Sequence, residues 1–337
     1  MVNQKLKAIS TVLTGLALLL AIGVIALGAY TRLMDAGLGC PDWPGCYGTI
    51  LPPTTEEAVT VANEAFPERP VEIEKTWPEM IHRYMASSLG FLILVITIMS
   101  IINHRHPAQP AKLASSLLVL VILQGMLGMW TVTMKLYPPV VMSHLLGGFT
   151  ILSVLSLLFY RLTQIFPPIK DSKADKLKWL AMLGVLTVIA QIMLGGWTAA
   201  NYAAHICHDF PVCQPGWAES LNMAEAFKIF GHEVDDFEYA PHLSADAQMT
   251  IHAFHRIGAI AVTLVVGLLC VLLLKCETRR YKKFGGVVLL MLSLQLGLGI
   301  ANVIYGIPLN IAVLHNLGGA MLLLVLVALN YSMRKKA

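Results

Sequence analysis

Eight apolar runs, each about the 20 residues needed to cross a bilayer, leave this chain few folds to choose from. They lie near residues 8–30, 80–102, 113–133, 139–160, 179–200, 249–274, 285–305 and 309–331. Composition agrees: 56% of the residues are hydrophobic and 13% are charged, against roughly 25% charged in soluble domains. The predicted fold is all-α integral membrane with eight transmembrane helices. The first run follows Lys5 and Lys7 and passes straight into Tyr30-Thr31-Arg32. It is longer than the roughly 7–15 apolar residues of a signal peptide, so it reads as a retained span. The net charge of +4 does not point to nucleic acid, because the charges are sorted by side.

Basic residues set the orientation. Lys5 and Lys7 precede span 1. His104, Arg105 and Lys112 separate spans 2 and 3, and Arg161, Lys170, Lys173, Lys176 and Lys178 separate spans 4 and 5. Lys275, Arg279, Arg280, Lys282 and Lys283 separate spans 6 and 7, and Arg334, Lys335 and Lys336 end the chain. All fall on one side, read as cytoplasmic, which places both termini there. The loops after spans 1 and 5 carry acids (Glu56, Glu57, Glu64, Glu68; Asp209, Glu233, Asp235, Asp236) and face outward.

The second half copies the first. Leu27-Gly28-Ala29-Tyr30-Thr31 matches Leu194-Gly195-Gly196-Trp197-Thr198, and Cys40 and Cys46 match Cys207 and Cys213. His82-Arg83 matches His255-Arg256, and Gln124-Gly125-Met126-Leu127-Gly128 resembles Gln295-Leu296-Gly297-Leu298-Gly299. His144, followed by Gly147-Gly148, matches His315, followed by Gly318-Gly319. Each half has an even number of spans, so the copies share one orientation, as in a parallel repeat. The expected form is two four-helix bundles, residues 1–165 and 166–337, with the small residues allowing close helix approach.

His82, His144, His255 and His315 stand about five to seven residues into spans 2, 4, 6 and 8, roughly 7–10 Å below the outer surface at 1.5 Å per residue. Ionisable residues at such depth are costly and usually functional. Two facing imidazoles inside a bundle suit a haem iron with two axial ligands. The chain has no Cys-x-x-Cys-His, so such a haem is held without covalent attachment. Competing readings are packing histidines, a proton relay, or another metal; a closed zinc site needs four ligands rather than two. Arg83 and Arg256 follow their histidines and suit haem propionates, or snorkel to the surface. Glu79 shares a helix face with His82. It is either a proton acceptor beside the pocket or a surface acid favoured by the helix dipole. The other copy has His252 in its place, so only one half carries an acid, which suggests one cofactor site and one reaction site.

Cys40 and Cys46, and Cys207 and Cys213, face an oxidising side where disulfides persist. Each pair is expected to form a disulfide within its own loop, as a staple or as a redox-active relay. His205 and His208 beside Cys207 and Cys213 raise a weaker zinc alternative.

Eight spans in duplicated halves, Glu79-x-x-His82-Arg83, His144, His255-Arg256, His315 and the paired outer cysteines resemble the haem A synthases of bacteria and mitochondria. The resemblance covers nearly the whole chain. It implies oxidation of the C8 methyl of haem O to a formyl group, giving haem A for cytochrome oxidase. It implies that His82 and His144 hold the substrate haem with Glu79 as the catalytic residue, and that His255 and His315 hold a permanent haem b. It further implies a multi-pass protein of the bacterial cytoplasmic (inner) membrane that meets the haem O synthase and an electron donor, and that is able to form oligomers. The outer loops are longer than in compact members. Two other functions stay open on the residues alone: an electron-transfer cytochrome b with two structural haems, and a haem-handling transporter.

Overall fold

The computed structural model describes residues 3–106, 108–231 and 243–334. The acids Glu233, Asp235 and Asp236 and the basic Lys335 and Lys336 lie outside the described residues. Eight helices are long and apolar enough to span a bilayer: α1 (Gln4–Leu33), α3 (Ile73–Ile102), α4 (Ala111–Thr133), α5 (Pro138–Thr163), α7 (Lys178–Ala200), α9 (Ala245–Leu274), α10 (Arg279–Ile304) and α11 (Leu309–Arg334). Three short helices lie in the connections: α2 (Glu56–Ala65), α6 (Ser172–Lys176) and α8 (Met223–Ala226). No strand is present among the described residues. Helices satisfy their own backbone groups, which is what spanning a bilayer demands.

The chain is a multi-pass membrane protein. Large apolar side chains on its outer surface stay exposed, among them Val12 at 63%, Leu19 at 69%, Phe91 at 68% and Leu264 at 68%. A water-soluble monomer does not carry such a belt. The inward faces bury Ala17, Ile93, Leu155, Leu269 and Leu326. Hydroxyls inside the spans bond back to their own helix, as Thr14 does to the Ser10 carbonyl (2.7 Å) and Thr97 to the Ile93 carbonyl (2.8 Å), so they cost little in lipid.

Packing is cyclic in each half. Helix α1 packs on α3 and α5, and α4 packs on α3 and α5. Likewise α7 packs on α9 and α11, and α10 on α9 and α11. Between the halves, α1 meets α11, and α5 meets α7 and α11. At its C-terminal end, Arg32 on α1 donates to the Ala199 carbonyl (3.1 Å) and lies 4.3 Å over the Tyr202 ring.

Two boundaries differ from expectation. Helix α3 begins at Ile73 and α9 at Ala245, earlier than the apolar runs that start near 80 and 249. The added turns hold Glu74 and Lys75 in one case and Asp246 in the other, residues that an apolar count rejects but a helix outside the bilayer accepts. His82 is therefore the tenth residue of α3 and His255 the eleventh of α9, while His144 and His315 are each the seventh of their helices. The two longer helices carry their first turns into the connections where α2 and α8 sit.

Candidate functional site

The four histidines meet in two pairs. His82 on α3 faces His144 on α5 with ring centres 6.4 Å apart and planes at 73°. His255 on α9 faces His315 on α11 at 6.5 Å and 85°. An imidazole nitrogen binds a first-row metal at about 2.0–2.1 Å, and with about 1.1 Å from nitrogen to ring centre on each side this gives roughly 6.3 Å between ring centres. Both gaps therefore match one metal ion between two axial imidazoles. Buried ring nitrogens without a protein partner, Nδ1 of His82 and of His315, add unspent ligand capacity. Among the described residues no three His, Cys, Asp or Glu side chains gather as a metal site, and Cys207 and Cys213 beside His205 and His208 are joined in a disulfide rather than free as thiolates.

Glycines set how closely the rings approach the neighbouring helices. A Cβ on Gly28 of α1 would stand 2.7 Å from Cε1 of His82, and one on Gly195 of α7 would stand 3.0 Å from Cε1 of His255. The matched Leu-Gly segments of the repeat thus share a steric function.

Glu79 lies one turn before His82 and is only 4% exposed, so it is not a surface acid. Its Oε2 accepts the backbone N–H of Cys40 at 2.9 Å, and its Oε1 pairs with the Arg83 guanidinium one turn on. Arg83 Nη1 also donates to the carbonyls of Asp42 (2.9 Å) and Gly45 (2.6 Å). These carbonyls belong to the loop closed by the Cys40–Cys46 disulfide. The Asp42 carboxylate fixes the same loop by accepting the N–H groups of Tyr47 (2.6 Å) and Gly48 (2.9 Å). Helix α2 supports it from outside: Cys40, Cys46, Tyr47, Ala62 and Met80 form one buried cluster, with Phe66 edge-on to Tyr47. Burial there pushes the Tyr47 phenol up to about 12, so it stays a donor, to the Pro70 carbonyl (3.3 Å).

The second half repeats this frame without the acid. Cys207 and Cys213 form the matching disulfide. Arg256 donates to the carbonyls of Asp209 (2.7 Å), Pro211 (3.2 Å) and Cys207 (3.0 Å), and its Nε is buried without a protein partner. His252, in the place of Glu79, is buried with Nδ1 at 3.0 Å from the Ala203 carbonyl. Both arginines therefore spend donors on loop carbonyls 38 to 49 residues away in sequence. Sequence reading could pair Arg83 with Glu79 from their spacing, but the loop contacts are invisible without the fold.

An eight-span helical membrane protein with two pairs of facing imidazoles between its helices, one of them beside a fixed carboxylate, is the class that fold and site define. Residues 11–327 match the family described as cytochrome oxidase assembly protein, COX15-CtaA, and the chain belongs to that family. A haem A synthase of Shewanella oneidensis is 46% identical over 97% of this chain and 97% of its own length. A haem A synthase of Caulobacter vibrioides is 26% identical over 94% of this chain and 93% of its own length. One of Rickettsia canadensis is 27% identical over 92% and 93%.

Proposed function

We propose that this chain is a haem A synthase of the bacterial inner membrane, oxidising the C8 methyl of haem O to a formyl group for cytochrome oxidase. Full-length similarity to haem A synthases supports this, and so does the family match. The observation that carries it is the asymmetry between two like pockets: the His82–His144 pair has the buried, doubly held Glu79 beside it, and the His255–His315 pair has His252.

The N-terminal half, residues 1–165, takes haem O between His82 and His144. The C-terminal half, residues 166–337, takes haem b between His255 and His315. When bound there, haem b supplies one-electron transfer. The basic loops place both termini in the cytoplasm, and the disulfide loops lie outside. Taking the methyl carbon through a geminal diol to the aldehyde removes four electrons and adds one oxygen atom, so an external oxidant must accept the electrons and an oxygen donor (dioxygen or water) must supply the atom; the diol then loses water.

This chain's part is positioning and charge. His82 and His144 fix the plane of the substrate. Glu79 lies three residues before His82, on the same face of α3. Held by Arg83 and the Cys40 amide, it is oriented before substrate arrives. It accepts a proton from the reacting methyl or stabilises positive charge developing there. Arg83 balances Glu79 and ties it to the disulfide loop. The buried Nε of Arg256 is a donor left for a haem propionate. An electron donor and the haem O synthase are the partners this chemistry calls for.

Glu79→Ala and Glu79→Gln test the reading. Both should abolish haem A formation in cells that make haem O while haem b stays bound. Normal haem A formation by either variant would remove Glu79 from the chemistry. A cytochrome b with two structural haems offers no use for a buried acid in one half alone.

A further inference from the structure

Three of the four histidines have a carboxamide behind them, and the fourth does not. Gln124 on α4 places Nε2 3.1 Å from Nδ1 of His144 and donates to the His144 carbonyl at 2.8 Å. Gln191 on α7 does the same to His255, at 3.0 Å and 2.9 Å. Gln295 on α10 reaches Nε2 of His315 at 3.4 Å and its carbonyl at 3.0 Å. In all three the glutamine Oε1 is buried without a partner. It stands over the glycine three residues past the histidine, Gly147, Gly258 or Gly318, where a Cβ would collide with it.

The pattern is therefore a four-fold one, Gln-x-x-x-Gly on one span and His-x-x-Gly on the next, finer than the two-fold repeat. The remaining hairpin keeps Gly28 and His82 but carries Val24 where glutamine belongs and Met85 where glycine belongs. The two changes fit each other: Met85 fills the room the missing carboxamide would need, its Cε 3.1 Å from where a Cβ on the adjoining Gly23 would lie. No carboxamide reaches His82; the group beside its ring is the Val24 backbone carbonyl.

A metal-bound histidine carries its proton on the other ring nitrogen and donates it to an outer partner, which fixes the ring and raises its basicity. In all three the same carboxamide N–H holds the histidine's own backbone carbonyl, which fixes where the ring stands on its helix. We infer that Gln191 and Gln295 are positioning residues that lock both axial ligands of the C-terminal haem, and that Gln124 locks one ligand of the N-terminal haem. His82, with a backbone carbonyl but no carboxamide beside it, is then the weaker ligand, through which substrate haem enters and product leaves. This rests on the division of substrate and cofactor between the halves proposed above.

The test uses the full chain, purified with its haems in detergent, and apomyoglobin as haem acceptor. Wild-type protein should release one haem fast and one slowly. Gln191→Leu should speed the slow release about 10–100-fold, the usual effect of losing such a partner. Gln191→Glu should keep the haem and lower its midpoint potential, a readout that packing alone would not move. Val24→Gln with Met85→Gly should slow the fast release. Unchanged release in Gln191→Leu together with an unchanged potential in Gln191→Glu would overturn the inference. If instead the slow haem survives His255→Ala, the assignment of the halves fails and not the role of the glutamines.

Discussion

Gly28→Ala is a one-methyl test of the substrate pocket. The new Cβ would stand 2.7 Å from Cε1 of His82, about 0.8 Å inside the roughly 3.5 Å at which carbon atoms begin to attract. Helix α1 has little room to yield, because Ala17 and Ala21 on it are buried against its neighbours. The His82 ring must therefore move by most of that distance. Metal–ligand bonds tolerate about 0.2 Å, so a displacement roughly four times larger breaks the match between the 6.4 Å gap and a six-coordinate iron. The account predicts loss of substrate haem and of haem A, with the C-terminal haem retained as proof of folding. Gly125→Ala on α4 is the control, since a Cβ there meets nothing within 4 Å; it should leave both haems and slightly favour the helix. Haem extraction and chromatography of the two purified variants reads the outcome. Full haem A production by Gly28→Ala would refute the claim that His82 must hold its present place.

Cys40→Ser with Cys46→Ser frees the loop whose amide and carbonyls hold Glu79 and Arg83; haem A formation should fall at least tenfold with haem b unchanged, by activity assay and optical spectrum. Arg83→Met leaves Glu79 buried without its counter-charge, which costs about 3–5 kcal/mol, so detergent thermal stability should drop more than in Arg256→Met, which separates no ion pair. On the basic side, Asp171 accepts the N–H groups of Ala174 (3.0 Å), Glu277 (3.0 Å) and Thr278 (2.8 Å). Burial alone would push its pKa up, but these bonds outweigh it and hold the carboxyl below its ordinary 3.8. Its stabilising effect is thus present above pH 3.8 and lost as pH falls through the lowered value. Asp171→Ala should lower the melting temperature near neutral pH and show no further cost in acid.

Eight spans were legible because a bilayer imposes one length on every crossing helix. The early starts of α3 and α9 were not, since polar residues such as Glu74 and Asp246 continue a helix without adding hydropathy. The histidine pairs were legible through the repeat, which put equivalent residues at equivalent depth. Glu79 was legible as a candidate, yet its burial depends on Cys40, 39 residues away, and such contacts leave no local trace. The arginines suggested propionates by chemistry, and the fold turns both to loop carbonyls and Arg83 to Glu79 as well. The glutamines were visible as Gln124 and Gln295 in a weak repeat match. Gln191 and the gap at Val24 emerge only when each two-helix hairpin is compared with the other three.

The most direct test of the central claim is to extract and identify the haems of the purified protein made in cells that also make haem O. Two unlike sites predict haem B together with haem O, a hydroxylated intermediate or haem A. Haem B alone, at two per chain, would contradict the account and leave Glu79 without a reaction to serve.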